Sequence, residues 1–127
     1  MSQPTISLVV RALNEAEHLS ALFTGLLRQE VKPTEVILVD SGSTDDSVAI
    51  ATAHGARIVH IRPEDFSFGR SLNVGCAAAI GEILVFVSAH VYPLDEFWLG
   101  NLVAPFHDPA VVLSYGRQTG YSPYGWH

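Results

Sequence analysis

Charge is scarce in this chain: Asp, Glu, Lys and Arg make up 16% of its 127 residues, against roughly 25% in an average globular protein. With 48% of its residues hydrophobic, it has too much apolar side chain and too little charge for a disordered polymer. Cations are scarcer still, since 7 Lys plus Arg face 13 Asp plus Glu and leave a net charge of −6. That balance repels phosphate backbones and argues against binding nucleic acid through a broad basic surface, so any phosphate must be held locally. Cys76 stands alone, which excludes an intramolecular disulfide, and Met1-Ser2-Gln3-Pro4 lacks the basic stretch and apolar run of a signal peptide. Both lead us to expect a reducing, cytoplasmic setting. Long hydrophobic runs are also missing: Ile6–Val10 and Ile83–Val87 are five residues each, against the ~20 of a spanning helix, which leaves membrane association at most peripheral. A chain of this length has room for one core, so a single domain over residues 1–127 is expected.

The short apolar runs are the first positive signal. Ile6–Val10 and Glu35–Asp40 are β-branched and too apolar to be half-exposed, so they read as buried parallel strands. Between them Leu19, Leu22, Phe23, Leu26 and Leu27 recur at helical spacing, with Asn14 and Glu17 placed as a capping box. A turn-forming run, Ser41 to Asp46, precedes a short helix over Ser47–His54, which Gly55 stops. Arg57–Ile61 reads as a third strand and Pro63–Gly69 as a loop. Leu72, Gly75, Cys76, Ala79 and Ile80 mark one face of a further helix ended by Gly81. Ile83–Val87 reads as a fourth buried strand, Asp95–Val103 as a helix and Val111–Tyr115 as a fifth strand. This alternation predicts an α/β fold, an open and mainly parallel sheet with flanking helices, whose ligands bind outside the carboxyl ends of the strands. Those ends carry Arg11 and Asn14-Glu15, Asp40, Arg62, and Ser88-Ala89-His90.

At the tip of the second strand, Asp40 is placed either to accept an N–H from a nucleobase or to brace its own loop, and Ser43, Thr44 or Asp45 to cap the next helix. Four segments then occur in order: Leu8-Val9-Val10-Arg11-Ala12-Leu13-Asn14-Glu15, Val39-Asp40-Ser41-Gly42-Ser43-Thr44-Asp45, Gly69-Arg70-Ser71-Leu72-Asn73-Val74-Gly75 and Gly81-Glu82-Ile83-Leu84-Val85-Phe86-Val87. In this combination the chain resembles the family 2 glycosyltransferases of GT-A fold over residues 5 to about 117. Within them it is most similar to the rhamnosyltransferase type that builds bacterial surface polysaccharide. The resemblance implies a Rossmann-like nucleotide-diphospho-sugar-binding half and inverting transfer of a sugar from a nucleotide diphosphate donor to an acceptor hydroxyl. On the matching positions it implies that Arg11, Asn14 and Glu15 line the nucleotide pocket, that Asp40 receives the base N–H, and that Arg70 reaches toward base or phosphate. Gly75 would allow close packing of helix on sheet. Structural alternatives stand beside these roles: Asn14 as a helix cap, which its position favours, Arg70 paired with Glu64 or Asp65, and Asn73 bonded to backbone. For Arg70 the surrounding motif favours the ligand role.

The sequence departs from that pattern twice. Ser88-Ala89-His90 stands where the family carries an Asp-x-Asp whose carboxylate binds the divalent cation bridging the donor's phosphates. The resemblance therefore implies a cation, Mn²⁺ or Mg²⁺, held more weakly, with His90 beside Ser88 as the candidate metal or phosphate ligand. With a weak metal, the diphosphate charge would fall to Arg11, Arg62, Arg70 or a protonated His90. The second departure is length, because the family places its catalytic base in a later acceptor-binding half. Asp95 and Glu96 read as helix-end carboxylates and Asp108 as a turn residue, so no catalytic residue is assigned. The chain thus reads as a donor half truncated before the acceptor half, completed by that missing domain or by a homo-oligomer. A non-catalytic nucleotide-binding module and a degenerate interaction surface are the alternatives. Aromatic residues gathered toward the end, from Phe97 and Trp98 to Tyr124 and Trp126, would favour self-association. His18, His54, His60, His107 and His127 show no paired ligand spacing, and Cys76 reads as a small core residue.

Overall fold

In the computed structural model, which describes residues 4–114, four strands form one wholly parallel sheet: β1 (Ile6–Ala12), β2 (Glu35–Asp40), β3 (Arg57–His60) and β4 (Ile83–Ser88), in the order β3-β2-β1-β4. Helices α1 (Ala16–Leu27), α2 (Ser47–Ala53) and α3 (Phe68–Ala78) make the crossovers, and α4 (Trp98–Val103) follows β4. Single turns of 3₁₀ helix cover Pro63–Asp65 and Ala104–His107. No helix among the described residues is long and apolar enough to cross a membrane.

The central strand is apolar on both faces because helices cover both. Ile6, Leu8, Val10 and Ala12 of β1 join Leu19, Leu22, Phe23 and Leu26 of α1 and Leu99 and Val103 of α4 in the larger core. Val9, on the opposite face, joins Ile37 and Val39 beneath Val74 and Ala78 of α3. Each fully buried aliphatic chain stabilises the fold by about 1.5–3 kcal/mol relative to exposure, and the register Leu8↔Val36 and Leu8↔Val85 stacks them in rows.

Several expectations change at the level of packing. α3 turns Ser71 and Gly75 inward, with Val74 and Ala78 beside them, whereas Ile80 stands 76% exposed and Cys76 is half-buried. Gly75 faces the sheet as expected and Ala79 packs on the smaller core, but hydrophobicity alone misses Ser71 and overrates Cys76 and Ile80, because the helix lies close to the sheet and turns small residues toward it. The helix also ends at Ala78, ahead of Gly81. β4 is an edge strand with alternating exposure, not a buried one, and Leu27 is an exposed final helical residue. α4 starts at Trp98, because the Asp95 carboxylate bends the preceding turn by accepting the Phe97 N–H at 2.9 Å. Val111–Ser114 is not a strand, and Tyr115, Tyr121, Tyr124 and Trp126 lie outside the described residues.

A polar brace ties β1, β2 and the turn into β4. The fully buried Ser7 hydroxyl donates to Glu35 Oε2 at 2.5 Å and accepts the Gly81 N–H at 2.8 Å, while Ile80 N–H donates to the same Glu35 oxygen at 2.7 Å. The Ser7 hydrogen bond, then that of Ile80, with a smaller contribution from Arg57, holds the Glu35 carboxyl below its ordinary value of 4.5, against an opposing effect of burial. A carboxyl with a depressed folded pKa adds stability above its unfolded pKa and loses it as pH falls through the folded one. Glu35→Gln is therefore expected to be clearly less stable than wild type at pH 7, with the gap closing as pH drops below about 4.5. Denaturant titrations at the two pH values check this, and a gap that does not change with pH would contradict it.

Candidate functional site

The loops after β1 and β2 interlock at the carboxyl end of the sheet. Asn14 sits at φ 52, a left-handed conformation that Asn tolerates better than most residues. Its Oδ1 accepts the N–H groups of Thr44 at 2.7 Å and Asp45 at 3.3 Å. In return the second loop covers the start of α1. Ser43 Oγ accepts the Asn14 N–H, Ser47 Oγ that of Glu15, and Asp45 Oδ2 that of Ala16. This corrects the expected capping box: the first residue flanking α1 is Glu15, with no side-chain cap, and Asn14 serves the neighbouring loop. Asn14→Gly keeps the backbone conformation and loses the acceptor, whereas Asn14→Ala loses both. We expect destabilisation of about 1 kcal/mol for glycine and about 2 kcal/mol for alanine, read from denaturant midpoints; the reverse order would contradict the assignment.

Gly42 turns the second loop at φ 104, where a side chain would also meet Pro63 at 2.8 Å. Asp40, 2% exposed, accepts the Gly42 and Ser43 N–H groups at 3.2 Å through Oδ2, with His60 Nδ1 3.6 Å away. The carboxylate thus braces its own loop, one of the two roles open to it. Its neighbour Ser41, also 2% exposed, has a buried hydroxyl with no hydrogen-bond partner.

Two clefts open beside these loops and share Arg11 and Ser88. One of about 90 Å³ runs between Arg11, Glu15, Ser41, Phe66, Ser88 and His90. The other, about 210 Å³, lies between Arg11, Ser71, Leu72, Phe86 and Ser88. Each is smaller than the roughly 300–1,000 Å³ that encloses a whole small-molecule ligand. Arg11 donates from Nη2 to Ser88 Oγ at 3.1 Å, and its guanidinium carbon lies 4.2 Å from the centre of the Phe68 ring. His90 Nδ1 lies 3.7 Å from Glu15 Oε1, and its ring meets that of His18 edge-on at 6.4 Å; His18 Nδ1 in turn bonds the Tyr92 hydroxyl.

Arg11, Glu15, Ser88 and His90 are thus brought together as expected, with Asn14 and Asp40 building the loops around them. Arg70 is not. It is exposed and pairs with Asp65, at 3.5 Å to Oδ1 and 3.3 Å to the carbonyl, the alternative open to it in the sequence. Arg62 binds the same Asp65 at 2.7 Å. Asn73 is exposed on α3 rather than bonded to backbone. Ser41, Ser71, Phe66 and Phe68 enter the site without having been singled out. For the aromatics the signal was Phe66-Ser67-Phe68 just ahead of the Gly69-Arg70 motif. Asp95 and Asp108 each accept a nearby backbone N–H, as turn residues do.

The cation implied by the resemblance finds a poor donor set. No cluster of three or more His, Cys, Asp or Glu suited to a metal exists among the described residues. Ser88 Oγ already takes the Arg11 N–H, which leaves His90 and Glu15 as the only acidic or imidazole donors lining this cleft.

Comparison with known proteins decides the family. The profile of glycosyl transferase family 2 matches residues 7–127. The chain belongs to that family. The O-antigen chain rhamnosyltransferase RfbN of Salmonella typhimurium is 27% identical over 115 residues, 89% of this chain and 37% of that protein. A PGL/p-HBAD biosynthesis glycosyltransferase of Mycobacterium bovis is 33% identical over 122 residues, 91% of this chain and 47% of that protein. This family 2 chain therefore spans less than half the length of these relatives. Its GT-A fold is shared with the glucosyl-3-phosphoglycerate synthase of Mycobacterium tuberculosis, crystallised with Mn²⁺, UDP and glucosyl-3-phosphoglycerate, at TM-score 0.68 and 33% identity over 81% of this chain and 39% of that one. Staphylococcus aureus TarS gives TM-score 0.71 at 25% identity, over 83% of this chain and 32% of its own. The same synthase has also been crystallised with Mg²⁺ and UDP.

Proposed function

We propose that this chain is the donor-binding part of an inverting glycosyltransferase of surface-polysaccharide or glycolipid synthesis, holding a nucleotide diphosphate sugar across the carboxyl ends of β1, β2 and β4. The observation that carries this is the convergence of the β1 and β2 loops on Arg11, Ser41 and Ser88, within a family match that runs nearly the length of the chain. In this reading Asp40 holds the loop that meets the base, and a divalent cation, where one joins the complex, meets His90 and Glu15. Among the described residues the clefts are shallow, and Leu84 and Phe86 of the adjoining strand β4 are 38% and 45% exposed.

Calorimetric titration with UDP, GDP and dTDP tests the proposal. Saturable binding of one of them is the expected result and identifies the donor class, whereas no binding to any would overturn it. Binding without donor hydrolysis or transfer would favour a nucleotide-binding module, for which the missing Asp-x-Asp carboxylates speak.

A further inference from the structure

We infer that this site offsets the charge of the donor's diphosphate with the Arg11 guanidinium and the Ser41 hydroxyl, and binds it without needing a divalent cation. The inference rests on the donor-binding reading above and adds to it the groups that meet the phosphates. Three arginines stand near the carboxyl ends of the strands, and two of them are paired with carboxylates, while the His90 imidazole has Glu15 beside it. Arg62 lies 2.7 Å from Asp65 and 3.4 Å from Glu64, Arg70 lies 3.5 Å from Asp65, and His90 faces Glu15 at 3.7 Å. Arg11 has no carboxylate partner among the described residues; it bonds only the neutral Ser88 hydroxyl and stacks on Phe68. One face of its guanidinium is thereby fixed, and its remaining N–H groups suit the paired oxygens of a phosphate.

Ser41 is the independent observation. Ser41 lines the cleft that also contains Arg11, and its hydroxyl is buried with no partner, as is that of Ser71 beside the neighbouring cleft. A buried O–H left unpaired is costly unless a ligand completes it. In a cleft walled by a guanidinium the complementary ligand atom is an anionic oxygen. A divalent ion bound at Ser88 would instead stand against the guanidinium that this hydroxyl already serves, and like charges at that range repel. An unpaired Arg11 beside a hydroxyl and an imidazole thus offers the phosphates a side-chain cation in place of a metal ion.

The test is titration of the 127-residue chain with UDP, GDP and dTDP in excess chelator and again in Mn²⁺, for wild type, Arg11→Lys and Ser41→Ala, each checked for a native circular dichroism spectrum. The nucleotide that binds is expected to do so with affinities within about threefold in the two conditions. Arg11→Lys, which keeps charge and loses the fork, is expected to weaken it about tenfold or more, and Ser41→Ala by a few-fold, in line with loss of charge-assisted hydrogen bonds. Binding only with Mn²⁺ would overturn the inference and leave the donor-binding reading standing. Unchanged affinity in a folded Arg11→Lys would do the same. Absence of binding in both conditions would overturn both.

Discussion

Gly75→Val is expected to lower stability by about 3 kcal/mol or more, a large part of the roughly 5–15 kcal/mol that holds a domain of this size together. A Cβ at position 75 would lie 2.4 Å from Val9 Cγ1 and 3.5 Å from Val39 Cγ2. Neither neighbour can move aside. Val9 and Val39 are buried on the adjacent strands β1 and β2, and β-branched side chains have few alternative rotamers. α3 would have to lift off the sheet, taking Val74 and Ala78 out of contact with the smaller core. Gly69 provides the control on the same helix, because a Cβ there meets nothing within 4 Å. Gly69→Ala is expected to be neutral or to stabilise by up to about 1 kcal/mol, the helix-propensity difference between the two residues. Denaturant unfolding of the two variants separates packing from propensity. A Gly75→Val protein as stable as wild type would mean that α3 is not seated as described.

Asp40→Ala is expected to abolish nucleotide binding while leaving a folded protein. The carboxylate is the acceptor for the Gly42 and Ser43 N–H groups, and its removal leaves two loop donors unpaired at a stability cost of about 2 kcal/mol. The same loop carries Ser43 Oγ to the Asn14 N–H and presents Ser41 to the cleft, so its collapse disturbs both walls of the site. Asp40→Asn is expected to fall between, since one acceptor oxygen remains while the new NH₂ faces donors. Calorimetry with the nucleotide that wild type binds, together with denaturant midpoints, reads both effects. Full affinity in Asp40→Ala would remove this residue and its loop from the binding site.

The fold was legible in the sequence because its strands are buried β-branched runs and its turns carry Gly, Ser and Asp. β2 spans the expected residues, and β1, β3 and β4 differ by at most two residues at one end. What was not legible depended on distances between elements. The close seat of α3 on Gly75 was expected from the resemblance, but the turn of Ser71 toward the sheet beside it is something a count of apolar residues does not detect. β4 looks as apolar as β1, and only the strand order makes it an edge. At the site, the positions after β1 and β4 were readable from the rule that ligands meet the carboxyl ends of parallel strands. The tasks of individual residues were not. Asn14 sits where a cap belongs, yet its φ of 52 aims it at the other loop. Arg70 lies in a family motif, yet it stands exposed beside Asp65, five residues before it, at 3.5 Å. Ser41 carried no signal beyond its place beside Asp40, since a hydroxyl becomes notable only when burial leaves it unpaired.

The most direct measurement is amide chemical-shift mapping of the ¹⁵N-labelled chain during titration with UDP, GDP and dTDP. For the nucleotide that binds, the expected result is a contiguous set of shifts over Arg11–Glu15, Asp40–Thr44 and Ser88–His90, three segments that only the folded sheet brings together. Shifts centred away from the carboxyl ends of β1, β2 and β4, or none with any of the three nucleotides, would contradict a donor site there.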